Sequence, residues 1–196
     1  IEHGYADLVV AGSAESANRP LATAAFRAMG AMTSKGMSCP FDSRRDGFVM
    51  GEGAGMLILE SAEHAAARGA RVYCELAGYG ASNDAYHLVQ PDPSGRGAIS
   101  AMTKALAEAG VEPGQVDYIN AHGTSTPYND LSETKAVKQV FGADSAPPLS
   151  STKSLVGHMM GAAGSVEAVI SVMSIRDNKA HPTVNLEQPD PECDLD

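Results

Sequence analysis

The sequence lacks tryptophan altogether, and only 5% of its 196 residues are aromatic. It is also poor in basic residues, since 14 Lys and Arg stand against 24 Asp and Glu, which gives a formal net charge of −10. Because neutralising nucleic-acid phosphates takes a basic face, this balance argues against a nucleic-acid partner. A composition of 43% hydrophobic and 19% charged residues argues against disorder and fits one globular domain or a large part of one.

Cysteine is scarce as well. Cys39, Cys74 and Cys193 are odd in number and lie far apart, so the sequence indicates neither a disulfide framework nor a zinc site. No stretch comes near the roughly 20 consecutive apolar residues of a membrane span, and residues 1–7 lack the basic start and apolar stretch of a signal peptide. We therefore expect no membrane association and a reducing, cytoplasmic location.

Short apolar runs alternate with helical patterns along the chain. Strands are predicted over residues 7–11, 55–60, 72–77, 116–121 and 149–152, and helices over 21–32, 63–68, 98–109, 130–141 and 161–175. The first two strands should be buried, and the last helix, which is apolar on nearly every face, should lie inside the fold. This alternation predicts an α/β layered architecture with a largely parallel sheet.

Two histidines stand where a ligand could bind. His122 follows the predicted strand over residues 116–121, and the carboxyl ends of parallel strands are the usual ligand-binding edge. His158 directly precedes the last predicted helix, whose N-terminal partial positive charge favours a neutral imidazole that can donate a hydrogen bond to an oxyanion. A purely structural histidine is the alternative at both positions.

Three charged residues have apolar surroundings. Lys153 ends an apolar strand, where an exposed lysine is the alternative to a functional one. Glu133 shares a helical stripe with apolar residues and should face the interior, where a carboxylate needs a cation or strong donors. Its alternative role is a capping box with Asp130. Glu167 sits in the most apolar helix, where Asn120 or a bound cation would satisfy it unless it lies on a solvent-facing edge.

Several motifs in a fixed order resemble one family. They are RDGFVMGEG at residues 45–53, NAHGTSTP at 120–127, STKS with GH and GAAG at 151–164, and PDPECDLD at 189–196. With these motifs the whole chain closely resembles the elongating β-ketoacyl-[acyl-carrier-protein] synthases, and it is most similar to the synthase II group of bacterial type II fatty acid synthesis. The resemblance implies a thiolase-like layered α-β-α-β-α fold, incomplete in this chain, and usually a homodimer.

The resemblance also implies an activity. Members are acyltransferases of fatty acid biosynthesis that join malonyl-carrier protein to an enzyme-bound acyl thioester by decarboxylative Claisen condensation. They require no cofactor of their own, because phosphopantetheine arrives on the acyl carrier protein, which is the expected partner. The alternatives are a polyketide ketosynthase segment and a non-catalytic binding piece comparable to a chain-length factor.

The resemblance assigns four catalytic positions. His122 and His158 match the two histidines that help to decarboxylate the malonyl group. Lys153 matches the lysine beside them, and Glu133 matches the acid that pairs with that lysine.

Binding positions follow from the same resemblance. Thr124 and Thr126 match the threonines that hold the phosphopantetheine arm, and Phe26 aligns with a residue that lines the acyl pocket. Asn120 and Glu167 match positions that bind a monovalent or divalent cation in some members.

Two departures from the family pattern bear on the domain assignment. None of the three cysteines stands in the family's nucleophile context, which lies upstream of residue 1, and the Gly- and Phe-rich gating loop near the family's C-terminus is missing. The sequence also lacks an initiator methionine. We therefore expect residues 1–196 to be the C-terminal part of a β-ketoacyl synthase domain that belongs to a longer polypeptide.

Overall fold

Helices and two strand pairs follow one another in the computed structural model, which describes residues 1–195. In chain order the elements are β1 (Leu8–Glu15), α1 (Pro20–Ala28), β2 (Gly53–Glu60), α2 (Ala62–Ala67), α3 (Arg96–Ala109), β3 (Ile119–Asn120), α4 (Pro127–Phe141), β4 (Leu149–Ser150), α5 (Lys153–Val156) and α6 (Ala163–Asp177). Single 3-10 turns lie at Pro113–Gln115 and Met160–Ala162. The α/β class predicted from the sequence is confirmed.

β1 and β2 form an antiparallel ladder, and α6 packs against β2. Gly55 permits this close approach, since a Cβ there would lie 2.6 Å from the backbone of Ser165. On the ladder Val10 and Ile58 are partners, and they are 64% and 65% exposed. The prediction that β1 is buried on both faces is therefore wrong for this chain, because an apolar run indicates burial without showing what covers it.

β3 and β4 form a short parallel pair, in which Ile119 lies opposite Leu149 and Asn120 opposite Ser150. The predicted strand over residues 72–77 is wrong, because that stretch has no ladder partner within the described chain and Leu76 is 77% exposed. The sheet is also not largely parallel, since the longer pair is antiparallel. Strand direction depends on partners that are remote in sequence, which an apolar pattern does not show.

Local capping explains where several helices begin and end. α3 ends at Gly110, whose φ of 64° closes the helix in the left-handed region that glycine tolerates. α4 begins at Pro127, three residues earlier than predicted, because the Thr126 hydroxyl accepts the backbone N–H of Asn129. α6 is only half-buried and exposes Ile175, which contradicts its predicted interior position. No helix among residues 1–195 is both long and apolar enough to span a membrane.

Buried side chains concentrate between residues 38 and 50 and between 121 and 163. Asp42 is fully buried and accepts hydrogen bonds from the Arg44 guanidinium and from the backbone N–H groups of Glu187 and Gln188. Burial opposes the charge on Asp42, but these donors outweigh it and hold the pKa of the carboxyl well below its usual range. These hydrogen bonds hold the loop around Asp42 against residues 187–188, near the end of the chain.

Candidate active site

The end of β3 positions His122. The backbone N–H of Ala121 donates to the Ser150 carbonyl at 2.9 Å, which continues the β3–β4 ladder up to the histidine. The next residue, Gly123, has a φ of +39°, and a Cβ there would lie 2.5 Å from Cβ of Ser151. Glycine is therefore required for the turn that aims His122 out of the sheet edge.

A backbone bridge to the segment before β2 positions His158. Its N–H donates to the Val49 carbonyl at 2.7 Å, and its own carbonyl accepts the N–H of Gly51 at 2.9 Å. The Phe48 ring lies edge-on to the His158 imidazole, with a centroid separation of 5.3 Å. Phe48 was not among the predicted site residues, although it lies within the RDGFVMGEG motif.

The two imidazole rings meet edge to face, with centroids 5.4 Å apart and an interplanar angle of 90°. The structure thus brings together two histidines that are 36 positions apart in the sequence. His158 is half-buried, while His122 keeps part of its surface open to solvent. This shared location is the basis for regarding the site as a candidate active site.

Both rings are neutral at neutral pH. Desolvation by the surrounding protein lowers the pKa of His122 to about 3, and the charge of Lys153 and the neighbouring His158 add to the effect. The pKa of His158 is lowered to about 4 by burial and then by Lys153. Each ring therefore has one N–H donor and one acceptor nitrogen.

The tautomer of each ring follows from its Nδ1 contact. The backbone N–H of Met160 donates to Nδ1 of His158 at 3.1 Å. The Lys153 ammonium, which can only donate, lies 3.2 Å from Nδ1 of His122. Since Nδ1 is the acceptor in both rings, the proton resides on Nε2. The site thus presents two Nε2–H donors.

Lys153 is buried, with only 1% of its surface exposed, so the alternative of an exposed lysine is wrong. Its Nζ atom lies 2.5 Å from Oε1 of Glu167 as well as next to His122. Burial raises the pKa of the Glu167 carboxyl, while the Lys153 charge and hydrogen bond oppose that rise. The ion pair satisfies the buried ammonium and the partly buried carboxylate.

Glu133 has a different role from either one that the sequence suggested. Its carboxylate accepts the backbone N–H groups of His122 at 2.7 Å and Gly123 at 2.8 Å, and Lys153 pairs with Glu167 instead. The expected Glu133–Lys153 pair is therefore wrong, as is the capping box with Asp130, because α4 begins earlier. The helical stripe correctly predicted that Glu133 faces inward but did not identify its hydrogen-bond partners.

The two threonines lie beside the turn that follows His122. Thr124 is buried, and its hydroxyl lies 2.8 Å from that of Thr126. Thr126 also caps α4. The structure therefore gives Thr126 a structural contact that the sequence analysis did not anticipate.

Phe26 lies at the far end of a row of rings that leads to the histidines. It meets Phe48 at a centroid separation of 5.5 Å, and Phe48 in turn meets His158. The predicted pocket residue is thus separated from His158 by one aromatic side chain.

Asn120 and Glu167, the two residues expected to bind a cation, each have a protein partner in the structure. Asn120 donates its amide Nδ2–H to the Thr152 hydroxyl at 2.9 Å, and Glu167 is paired with Lys153. Within residues 1–195, no group of three or more His, Cys, Asp or Glu side chains is arranged to hold a metal ion. Cation binding by Asn120 and Glu167 therefore stays a prediction, and the Lys153 ammonium already contacts Oε1 of Glu167.

Three comparisons place this geometry among known proteins. Residues 73–187 match the family model described as "Beta-ketoacyl synthase, C-terminal domain", and residues 1–65 match the one described as "Beta-ketoacyl synthase, N-terminal domain". The 3-oxoacyl-[acyl-carrier-protein] synthases 2 of Synechocystis and Coxiella burnetii are 50% and 51% identical to the chain over its whole length. The chain spans 49% of the length of each of these relatives.

A solved structure of a type II polyketide synthase acyl-carrier protein, in complex with its ketosynthase bound to the hexaketide, aligns with a TM-score of 0.96. It is 43% identical, and the alignment covers 99% of this chain and 49% of that one. These matches also confirm the thiolase-like fold expected from the sequence. The two family models together cover the strands, the turn and the helices that hold His122 and His158, and the chain therefore belongs to the β-ketoacyl synthase family.

Proposed function

We propose that the protein is an acyltransferase of fatty acid biosynthesis that decarboxylates malonyl-carrier protein and condenses it with an enzyme-bound acyl thioester. Residues 1–196 supply the decarboxylating part of the domain. The observation that carries the proposal is the pair of neutral histidines 5.4 Å apart, each with Nδ1 engaged and Nε2–H available.

The chemistry needs donors where negative charge develops. When the malonyl carboxylate leaves as carbon dioxide, the electron pair of the broken C–C bond moves into the thioester and forms an enolate. The Nε2–H groups of His122 and His158 stabilise the enolate oxygen by hydrogen bonding. The carbanion carbon then attacks the acyl thioester carbonyl, a new C–C bond forms, and the enzyme thiolate leaves.

Lys153 supports decarboxylation by contacting the Nδ1 side of the His122 ring. Its ammonium occupies Nδ1 of His122, so it keeps the proton on Nε2 and opposes protonation of the ring. Glu167 holds the ammonium in place, and Glu133 fixes the backbone of His122.

The remaining roles are part of the same proposal. Thr124 and Thr126 hold the phosphopantetheine arm of an acyl carrier protein, and Phe26 lines the acyl pocket. The solved ketosynthase complex with an acyl-carrier protein supports this partner. The protein acts in the cytoplasm as a homodimer and needs no cofactor besides the arm of the carrier.

A polyketide ketosynthase is the second candidate, because the solved structure with a TM-score of 0.96 is a polyketide ketosynthase complex. The two activities share the decarboxylation step and differ in the carrier and acyl chain. Rates with the acyl carrier proteins of the two pathways separate them. A chain-length-factor role is disfavoured because His122, His158 and Lys153 are all present and assembled.

The test uses the protein expressed from its complete reading frame. His122→Ala and His158→Ala should each reduce carbon dioxide release from malonyl-carrier protein by about 100- to 1,000-fold, because each removes one oxyanion donor. Acyl-enzyme formation, measured by mass spectrometry, should change far less. His3→Ala, which alters an exposed histidine near the start of the chain, is the matched control. Equal losses in both steps would contradict the assignment.

A further inference from the structure

The parallel pair that carries the site is very short. Hydrogen-bonded register between β3 and β4 extends over only two residue pairs, the last being Asn120 opposite Ser150. His122 and Lys153 lie beyond this pair, yet their nitrogens must stay 3.2 Å apart. Contacts outside the ladder therefore have to hold the two strand ends together.

Thr152 makes such a contact. It is fully buried and directly precedes Lys153, and its hydroxyl oxygen accepts the Nδ2–H of Asn120 from the neighbouring strand. The same hydroxyl lies 2.9 Å from Nε2 of His181. One side chain thus connects the strand that leads to His122, the strand that leads to Lys153, and the segment after α6.

The direction of these hydrogen bonds follows from His181. Its Nδ1 lies 3.0 Å from the carbonyl oxygen of Pro182, which can only accept. The Ser150 hydroxyl lies farther from Nδ1, at 3.4 Å, so the closer Pro182 contact assigns the proton of a neutral His181 to Nδ1, and Nε2 then accepts the hydroxyl proton of Thr152. The Thr152 oxygen then accepts the Nδ2–H of Asn120 at 2.9 Å, which is the closer of its two Asn120 contacts, since Oδ1 lies at 3.2 Å. His181 thus favours this polarity over donation from Thr152 to Asn120.

Neighbouring residues hold this segment firmly in place. The hydroxyl of Thr183 accepts the N–H of Ser151 at 3.1 Å, and the N–H of Val184 donates to the hydroxyl of Ser154 at 2.9 Å. His181 is consequently the first contact of residues 181–184, a segment that hydrogen-bonds to the chain on both sides of Lys153.

We infer that His181 is a positioning residue, which acts through Thr152 to hold the Lys153 ammonium against His122. His181 touches neither histidine of the site and stands in none of the motifs that identify the family. The expected effect on catalysis rests on the proposed function. The Asn120–Thr152–His181 hydrogen-bond connection does not depend on that function.

Three variants of His181 test whether its effect depends on a hydrogen-bond acceptor at the position of Nε2 or only on side-chain volume. His181→Leu keeps much of the volume but removes the acceptor. His181→Gln places a carbonyl oxygen where Nε2 stands, whereas His181→Asn is too short to reach Thr152. His3→Gln is the matched control at an exposed histidine. All are measured in the protein expressed from its complete reading frame.

For carbon dioxide release from malonyl-carrier protein, we expect kcat to fall about 10- to 100-fold in His181→Leu and His181→Asn, since small displacements at a site cost that much. KM should stay within about twofold, and His181→Gln should recover most of the loss. Nitrogen-15 NMR of labelled histidine at pH 8 should show His181 with a protonated Nδ1 and an unprotonated Nε2. Thr152→Val and His181→Leu should be non-additive in thermal stability.

Three results would overturn the inference: a His181→Leu or His181→Asn enzyme with wild-type kcat, a His181→Gln enzyme as impaired as His181→Asn, or a His181 ring protonated on Nε2 alone. If His181→Leu does not fold, the Gln and Asn pair carries the same comparison. A wild-type protein that releases no carbon dioxide would contradict the proposed function. In that case the His181 tautomer from NMR and the non-additivity of Thr152→Val and His181→Leu would still test the Asn120–Thr152–His181 connection.

Discussion

The Nζ atom of Lys153 lies 2.5 Å from Oε1 of Glu167, and these two residues come from different helices, α5 and α6. The lysine is completely enclosed, and the carboxylate is 17% exposed, so water screens the pair only weakly. The same ammonium contacts Nδ1 of His122. The ion pair thus links the packing of α6 to the protonation state of the site.

Removing the Glu167 carboxylate should leave the buried Lys153 charge without its counter-ion. We expect Glu167→Ala to lower the free energy of unfolding by about 3 kcal/mol, because breaking one side of a buried ion pair leaves the other uncompensated. Lys153→Met combined with Glu167→Ala should recover part of that loss. Urea unfolding of both single variants and the double variant measures the coupling. Strictly additive losses would show that the contact contributes no coupling energy.

Glu133 should behave as a backbone anchor. Glu133→Ala leaves the N–H groups of His122 and Gly123 without their acceptor, and an unsatisfied donor at a buried residue such as Gly123 costs about 1–3 kcal/mol. Glu133→Gln retains one acceptor oxygen and should lose less. Thermal unfolding checks the order of the variants, with Gln139→Ala at an exposed position of the same helix as the control. The anchoring role is excluded if Glu133→Ala unfolds like that control.

The stability of the protein should fall on mild acidification because of His158. Its pKa is lowered from 6.5 to about 4, chiefly by burial, so the unfolded chain binds the proton more readily than the folded one. The stability contributed by the neutral ring is therefore fully present above pH 6.5 and lost as the pH falls toward 4.

The matching measurement is urea unfolding across that pH window. His158→Gln cannot be protonated, so its free energy of unfolding should decline less steeply with acidification than that of the wild type. His3→Gln should follow the wild-type curve. Parallel curves for His158→Gln and the wild type would refute the assigned shift.

None of the three cysteines should act as the acyl acceptor. Burial raises the pKa of the Cys39 and Cys193 thiols, which disfavours the reactive thiolate, and Cys74 is exposed on a segment that has no ladder partner among residues 1–195. We expect Cys39→Ala, Cys74→Ala and Cys193→Ala to retain acyl-enzyme formation in the protein from its complete reading frame. A polypeptide of residues 1–196 alone should yield no β-ketoacyl product.

Mass spectrometry of the acyl-enzyme decides this point. An acyl group on any of these three cysteines, or loss of acylation in a folded Cys→Ala variant, would contradict the expectation. Brief alkylation of the native protein provides a second measurement, in which Cys74 should react first because the other two thiols are buried.

The sequence by itself determined the class of fold, the family and the place of the two histidines. The α3 helix was predicted closely because its amphipathic spacing and the glycine at its end are local features. His122 was assigned to the end of a strand for the same reason. These features depend on neighbours within a few positions, and such neighbours are visible in a linear pattern.

Only the tertiary structure decided which groups meet. A helical stripe showed that Glu133 faces inward, and the family resemblance paired it with Lys153, but in the folded chain Lys153 pairs with Glu167 and Glu133 accepts backbone N–H groups. His181 carries no motif and acquires its contact with Thr152 only because the segment after α6 returns to the strand ends. Likewise, an apolar run predicted that β1 is buried, whereas exposure depends on what else packs there. Hydrogen bonds and ion pairs form between whichever groups the packing brings within about 3 Å, and that proximity is a property of the folded chain.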